Sequence, residues 1–341
     1  MQTFSAPAKL VVSGEYAVLH GAPALVLALN RRVKVSVHAS SWQGWQFDGR
    51  GLTASSRHSL HSLIEGPALP ASDPGMLCQQ LLLHWPSGDP LAVLPADLAI
   101  LLDSSALFEH TEKLGLGSSA AVTVALATAL ATAADFEPAL DWPLRAHRAA
   151  QKGRGSGLDV AAAWHGGLIR FRPSPDRQSP PSVVATALPA QLQLCFVYAG
   201  FATSTVSQLS TFEDWCRQAG SSDAGEPPAP LRVLADAASE MADATSNPVQ
   251  FMAKLRLYTE ALQALDQAAG LGIFSAAHRQ LAELAARHGL IYKPCGAGGG
   301  DMGMAFGLDA GAMTAFEQRA RAAGFTLPAM EPDPNGRRRD S

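Results

Sequence analysis

Four stretches of this 341-residue chain combine glycine or other small residues with a lysine and with hydroxyl or carboxyl groups, and they hold four of its six lysines. The most pointed is Lys113-Leu114-Gly115-Leu116-Gly117-Ser118-Ser119-Ala120-Ala121. Glycines let backbone N–H groups close around an anion, and a helix starting at the serines aims the positive end of its dipole at the same place. The two hydroxyls can bond phosphate oxygens or a magnesium ion. The order differs from the Walker pattern, which places GK[ST] after its loop. The bland alternative is a glycine turn followed by an ordinary serine N-cap.

The second stretch, Lys293-Pro294-Cys295-Gly296-Ala297-Gly298-Gly299-Gly300-Asp301, sets a run of small residues beside a lysine and suits close approach of backbone to a ligand. The third runs Gln151-Lys152-Gly153-Arg154-Gly155-Ser156-Gly157-Leu158-Asp159 into an apolar Val160-Ala161-Ala162-Ala163. A carboxylate between a basic glycine loop and an apolar helix can act as a base or orient an acceptor, with the cations keeping it ionised. As an alternative, Asp159 simply caps that helix. The fourth stretch is Ala6-Pro7-Ala8-Lys9, followed by Ser13-Gly14-Glu15-Tyr16-Ala17-Val18-Leu19-His20-Gly21. A lysine in an apolar strand is costly to bury without an anionic partner, which Asp159 or a bound phosphate would supply, unless it snorkels to water.

These segments need a frame. At 47% hydrophobic and 16% charged residues, the chain is long enough for a large core and spans one extended or two compact domains. A formal net charge of -4 offers no global positive field for nucleic acid or an anionic membrane. Cys78, Cys195, Cys216 and Cys295 lie far apart with no CxxC, against a disulfide scaffold or structural zinc. Lys9 and Glu15 interrupt the first apolar stretch, against a signal peptide, so the expected location is cytoplasmic. The uncharged run 114–134 has the length of a membrane span, but its Ala, Thr, Ser and Gly content predicts a buried helix.

Periodicity predicts strands over 8–13, 23–37, 42–51, 98–102, 168–172, 192–198 and 302–306. Helices are predicted over 74–83, 118–134, 142–151, 158–164, 207–219, 230–245, 251–268 and 276–288. The Pro-rich 173–181 reads as a boundary, giving an N-terminal lobe over 1–180, a C-terminal lobe over 181–330 and a disordered tail over 331–341. Strands and helices without regular βαβ alternation indicate an α+β protein of two lobes.

Taken in order, the four segments resemble the GHMP kinase superfamily from residue 5 to about 307, at the N-terminal, phosphate-loop and C-terminal glycine motifs. The resemblance implies a two-lobed fold, with an N-terminal ribosomal-protein-S5-like lobe and a C-terminal ferredoxin-like lobe. It implies ATP and Mg²⁺ as cofactors, Lys9 and Asp159 as catalytic residues, and Ser119 as the metal ligand. Lys113, Gly115, Leu116, Gly117, Ser118, Ser119 and Ala120 would bind the ATP phosphates. Tyr16, His20, Lys152, Arg154, Ser156, Gly157, Ser204, Thr205, Gly296, Ala297, Gly298, Gly299 and Asp301 would bind the acceptor. Nucleobase contacts are expected within 35–47 and 98–108, where Trp42 and Trp45 are candidates for stacking, although a strand tryptophan more often belongs to the core.

Within the superfamily, 113–121, 146–159 and 293–301 resemble the phosphomevalonate kinases, with Cys295 in place of a serine and Glu15-Tyr16 where mevalonate kinases show Glu-His. On the other side, His20-Gly21-Ala22-Pro23-Ala24 is nearer the mevalonate kinases, and Ala8 replaces a usual glycine. Arg148 stands eleven residues before Asp159, where mevalonate kinases carry a magnesium-binding glutamate, and a cation there cannot bind magnesium. The implied activity is ATP-dependent phosphorylation of 5-phosphomevalonate to its diphosphate. The alternatives are a mevalonate or sugar kinase, or a silent nucleotide-binding sensor, against which retention of Lys9 and Asp159 argues. The expected partners are ATP and a phosphorylated small molecule, with no nucleic acid or membrane; the oligomeric state stays open, a homodimer included.

Overall fold

Two apolar runs open the chain and pair antiparallel along most of their length, β1 (Gln2–Ser13) and β2 (Ala24–Ala39). The computed structural model describes residues 1–50, 54–176, 179–200, 205–219 and 226–340. From Phe4 onward β1 is buried on both faces, sending Ala8, Leu10 and Val12 into the main core and Val11 to a second cluster. Register shifts at Pro7/Ala8 and Val11/Ser13 bracket Lys9. Such bulges re-aim the side chains beside them, and Pro7, with no N–H to donate, is suited to the first.

There follow β3 (Trp45–Arg50), β4 (Ser55–His58), α1 (Leu60–Glu65), α2 (Met76–Leu83), α3 (Pro90–Val93) and β5 (Leu98–Asp103). A two-stranded ribbon, β6 (Phe108–Glu109) and β7 (Glu112–Lys113), leads into α4 (Ser118–Ala133), α5 (Asp141–Ala150) and α6 (Leu158–His165). The hairpin β8 (Leu168–Arg172) and β9 (Ser182–Thr186) comes next. The rest comprises β10 (Gln193–Tyr198), α7 (Thr205–Gln218), α8 (Ala229–Asp243), α9 (Pro248–Ala269), α10 (Ala276–Arg287), β11 (Ile291–Pro294), β12 (Met302–Gly307), α11 (Ala310–Ala322) and β13 (Arg338–Arg339).

Among the described residues, eight strands form one mixed sheet in the order β13-β1-β2-β5-β3-β4, with β8 beside the first half of β2 and β9 outside it. Helix α4 packs on β1 and β2, and every residue from 120 to 131 is buried, which its alanines permit because β1, α2, α5 and α6 can all close in. Among the described residues no helix is long and apolar enough to cross a membrane. A smaller antiparallel sheet, β10-β12-β11, alternates its side chains between two cores. Val197, Tyr292 and Ala305 meet α10 and α11, while Phe196, Met304 and Phe306 join the main core with α9. This is the expected α+β architecture.

Three sequence expectations change. The Pro-rich 173–181 is the connection of the β8–β9 hairpin, so the large sheet continues to Thr186 instead of ending at 180. The helix α11 and strand β11 had no counterpart in the periodicity reading. Residues 331–340 are ordered, because buried hydrogen bonds and a strand pairing tie their polar backbone to β1, β2 and α6. Only Ser341 of the tail lies outside the described residues.

Candidate active site

Lys9 leaves β1 between the two bulges with its N–H bonded to the Leu116 carbonyl at 3.1 Å, so the phosphate-type loop is tied to the strand that presents the lysine. Its side chain is 9% exposed and its Nζ stands 3.5 Å from Asp159 Oδ1. That is an ion pair looser than a charge-assisted hydrogen bond, and it leaves ammonium protons for a third group. Lys9 therefore does not snorkel. Its stem lies over Gly117, where a Cβ would come within 2.8 Å of Lys9 Cε.

Both helices that open here begin on a glycine in the left-handed region, Gly117 at φ 80° before α4 and Gly157 at φ 89° before α6. Neither glycine can cap with a side chain; at α6 the Leu158 N–H donates to Ser156 Oγ at 3.3 Å, and at α4 no cap is made. The serine N-cap alternative for 118–119 and the capping alternative for Asp159 are thus both replaced: the serines and Asp159 sit in the first turns. First-turn N–H groups have no intrahelical acceptors, and those without another partner suit an anion. Ser119 Oγ is 2.9 Å from His147 Nε2 on α5, and His147 is almost fully buried. Burial holds the His147 pKa below the usual histidine value, with the Asp159 charge partly opposing. In the tautomer protonated at Nδ1, the neutral ring accepts the Ser119 proton and leaves both Ser119 lone pairs to other partners.

The far glycine segment converges on the same place. A Cβ on Gly115 would run into the Asp301 carboxylate. Tyr16 donates to the Ala297 carbonyl at 2.6 Å, and burial raises its pKa so that it stays a donor. Tyr16, Lys152 and Asp301 hold φ of 58°, 55° and 31°, and all three line one cavity of about 620 Å³. Strained backbone at non-glycine residues is retained where the surroundings enforce it, and it collects at functional sites.

That cavity is lined by Lys9, Tyr16, Lys113, Gly115, Gly117, Ser118, Ser119, Lys152, Arg154, Ser156, Gly157, Asp159, Gly296, Ala297 and Asp301. The other described residues expected at the site lie outside this lining. Leu116 contributes a carbonyl to Lys9 but turns a buried side chain to the core, and Ala120 is buried within α4. His20 is exposed at the end of a short 3-10 turn, edge-on to Phe212 at 5.8 Å, outside the lining. Gly298 is a glycine because Ile273 packs against it, and Gly299 donates to the Ile273 carbonyl at 2.9 Å. Ser204 lies outside the described residues, and Thr205 opens α7. Trp45 is core, its indole N–H on the Pro95 carbonyl at 2.9 Å, and Trp42 is exposed under Arg57.

Lys293 is not a ligand-facing lysine. It is fully buried, with Nζ 2.5 Å from Glu15 Oε1 and 3.3 Å from the Val11 carbonyl. Tyr258 of α9 donates to Glu15 Oε2 at 2.5 Å and accepts from the Gly14 and Glu15 N–H groups. This network joins the end of β1 to β11, binding the first glycine segment to the last. Cys295 follows it into the cavity lining with its thiol pushed up to about 11, chiefly by burial. Glu15 lines the cavity as well, and His147 was legible only as part of a motif.

Among the described residues no cluster of three His, Cys, Asp or Glu side chains is arranged to hold a metal. The donor set fits Mg²⁺ nonetheless, since that ion keeps several waters and takes the rest of its oxygens from substrate phosphates and one or two protein groups. Ser119 is placed to be such a group.

Residues 97–167 match the model of the GHMP kinases N terminal domain. Over 374 residues the chain is 32% identical to the phosphomevalonate kinase of Streptomyces sp. (strain CL190), covering 96% of each protein. It is 34% identical over 174 residues to the mevalonate kinase of Methanothermobacter thermautotrophicus, 48% of each chain. The structure of Streptococcus pneumoniae phosphomevalonate kinase in complex with phosphomevalonate and AMPPNP superposes with a TM-score of 0.78 at 19% identity, over 97% of this chain and 100% of that one.

Proposed function

The chain belongs to the GHMP kinase family, and from that premise we propose that it transfers the γ-phosphoryl group of ATP to the phosphate of 5-phosphomevalonate, giving the diphosphate and ADP. One observation carries the reading: two glycine-led helix N-termini, at Gly117 and Gly157, open on the single cavity that also holds the Lys9–Asp159 pair. A neutral alcohol acceptor needs one anion cradle, for ATP, and mevalonate adds only a carboxylate monoanion. A second cradle, flanked by Lys152 and Arg154, suits an acceptor that is itself a phosphate. The full-length similarity to a phosphomevalonate kinase supports the same acceptor.

In this mechanism the 115–119 loop and the α4 N-terminus hold the ATP phosphates, with Lys113 at the rim. An acceptor phosphate has a second pKa of about 6, so near neutral pH it is mostly dianionic and attacks without a strong base. Its oxygen forms a bond to the γ-phosphorus as the bond to the ADP oxygen breaks, and no proton has to move. Phosphoryl transfer of this kind depends on alignment and charge neutralisation. Lys9 meets the transferring oxygens and Asp159 keeps Lys9 aimed. Mg²⁺, when bound, supplies charge neutralisation to the ATP phosphates, with Ser119 as its protein oxygen.

Two outcomes follow. Neutralising Arg154 or Lys152 raises the KM for the acceptor far more than that for ATP, since a charge-assisted hydrogen bond to a phosphate contributes about 1.5–3 kcal/mol. Equal rises in both constants, in initial-rate measurements, would contradict the acceptor assignment. Ser119→Ala weakens use of Mg·ATP, measured as turnover at limiting magnesium. The variant still folds, because the hydrogen bond lost to buried His147 accounts for only about 1–3 kcal/mol. Unchanged turnover would remove Ser119 from the metal site.

A further inference from the structure

The tail is a strap. Asn30 N–H donates to the Glu331 carbonyl at 2.9 Å, Asp333 N–H to Ala28 O at 3.0 Å, and Gly167 N–H to Asp333 O at 2.7 Å. Arg32 then latches it from β2, pairing with Asp333 Oδ2 at 2.5 Å and donating to the carbonyls of Asn335 and Gly336. Both side chains of that pair are under 9% exposed. Next the strap crosses the end of α6 so closely that neither side tolerates a Cβ. One on Gly336 would overlap the Trp164 carbonyl oxygen, and one on Gly166 would overlap the Asn335 backbone. Arg337 N–H donates to Trp164 O at 3.2 Å, and its guanidinium lies 4.1 Å over the Trp164 ring. The strap ends as β13 on β1, with Arg339 opposite Phe4.

It therefore touches the two elements that carry Lys9 and Asp159, while none of its residues lines the cavity. We infer that the strap, residues 331–340, is a positioning element for phosphoryl transfer: it fixes where α6 ends at Trp164 and Gly166, and through that short helix where Asp159 stands against Lys9. Helix α6 has eight residues, a rigid rod of about 12 Å, so a displacement at one end reaches the other. The Lys9–Asp159 separation of 3.5 Å leaves little slack for such a displacement. The inference rests on the roles given above to Lys9 and Asp159.

Gly336→Ala in the full chain tests it. The added methyl cannot share the crossing with Trp164 O, so kcat falls by about a hundredfold, the loss that a misplacement of about 1 Å produces. KM for ATP stays within about twofold, because no residue of the strap lines the cavity and uniform binding is kept. Asp159→Asn then costs far less in the Gly336→Ala background than in the wild type, since the aspartate is already misplaced. Arg337→Ala, which removes the stacking on Trp164 and the ion pair with Glu137 without adding an atom, gives the same pattern at smaller size and serves if Gly336→Ala does not fold. Hydrogen exchange in peptides covering 158–165 accelerates in both variants while that of 276–287 does not change. Multiplicative kcat losses, or unaltered exchange over 158–165, would overturn the inference. If Asp159→Asn alone leaves wild-type turnover intact, the reading of Asp159 fails instead, and the exchange measurement still decides whether the strap holds α6.

Discussion

Lys9→Met lowers kcat by about a hundred- to a thousandfold, the loss expected when one preorganised donor is removed from a developing negative charge. Methionine keeps the unbranched stem that packs over Gly117, so the protein folds, and Asp159, with a side chain 34% exposed, remains solvated. Asp159→Asn gives a comparable loss by another route: the carboxamide keeps the shape but no longer holds the ammonium. Because Asp159 acts through Lys9, the double variant loses little more than the worse single one. The loss from Asp159→Asn is also nearly independent of pH across the acceptor's own titration near pH 6, since no proton passes to the carboxylate. Steady-state kcat for the two single variants and the double variant checks both statements; multiplicative losses would mean that the two residues act separately.

The second large effect is on stability. Lys293→Met leaves Glu15 buried with no cation, and Glu15→Gln leaves Lys293 buried with no anion; breaking one side of a buried pair costs about 3–5 kcal/mol. Tyr258 sharpens the cost, because its hydroxyl donates to the same carboxylate and accepts two backbone N–H groups, which fixes the carboxylate's position. The combined Glu15→Gln and Lys293→Met variant recovers most of the loss, as neutral replacements of buried pairs commonly do. Urea unfolding midpoints of the three variants measure this. Single variants as stable as the wild type would show that the pair does not brace β1 against β11.

What could be read in the sequence divides along a physical line. The glycine, lysine and hydroxyl segments were legible because their chemistry is local, and α4 and β8 were placed almost to the residue from composition and period. The partners of Glu15 were not, since Tyr258 and Lys293 lie more than two hundred residues away and no local rule names them. His20 was assigned to the site by motif position alone, and spacing does not say which way the short 3-10 turn after Tyr16 faces. The tail has a disordered composition, yet Arg32 supplies a buried counter-charge to Asp333 and α6 supplies a surface that only glycine can cross. Helix α11 does carry a local signal, with Asp309 as N-cap and Met313, Phe316 and Ala320 buried at helical spacing.

The acceptor is the central claim, and the most direct measurement offers the purified full chain mevalonate and 5-phosphomevalonate side by side with Mg·ATP, following ADP release and the product phosphorus by ³¹P NMR. The account predicts the larger kcat/KM for 5-phosphomevalonate and a new diphosphate resonance pair. A larger kcat/KM for mevalonate, with a single phosphomonoester resonance, would contradict it and make the cradle at Gly157 something other than a phosphate site.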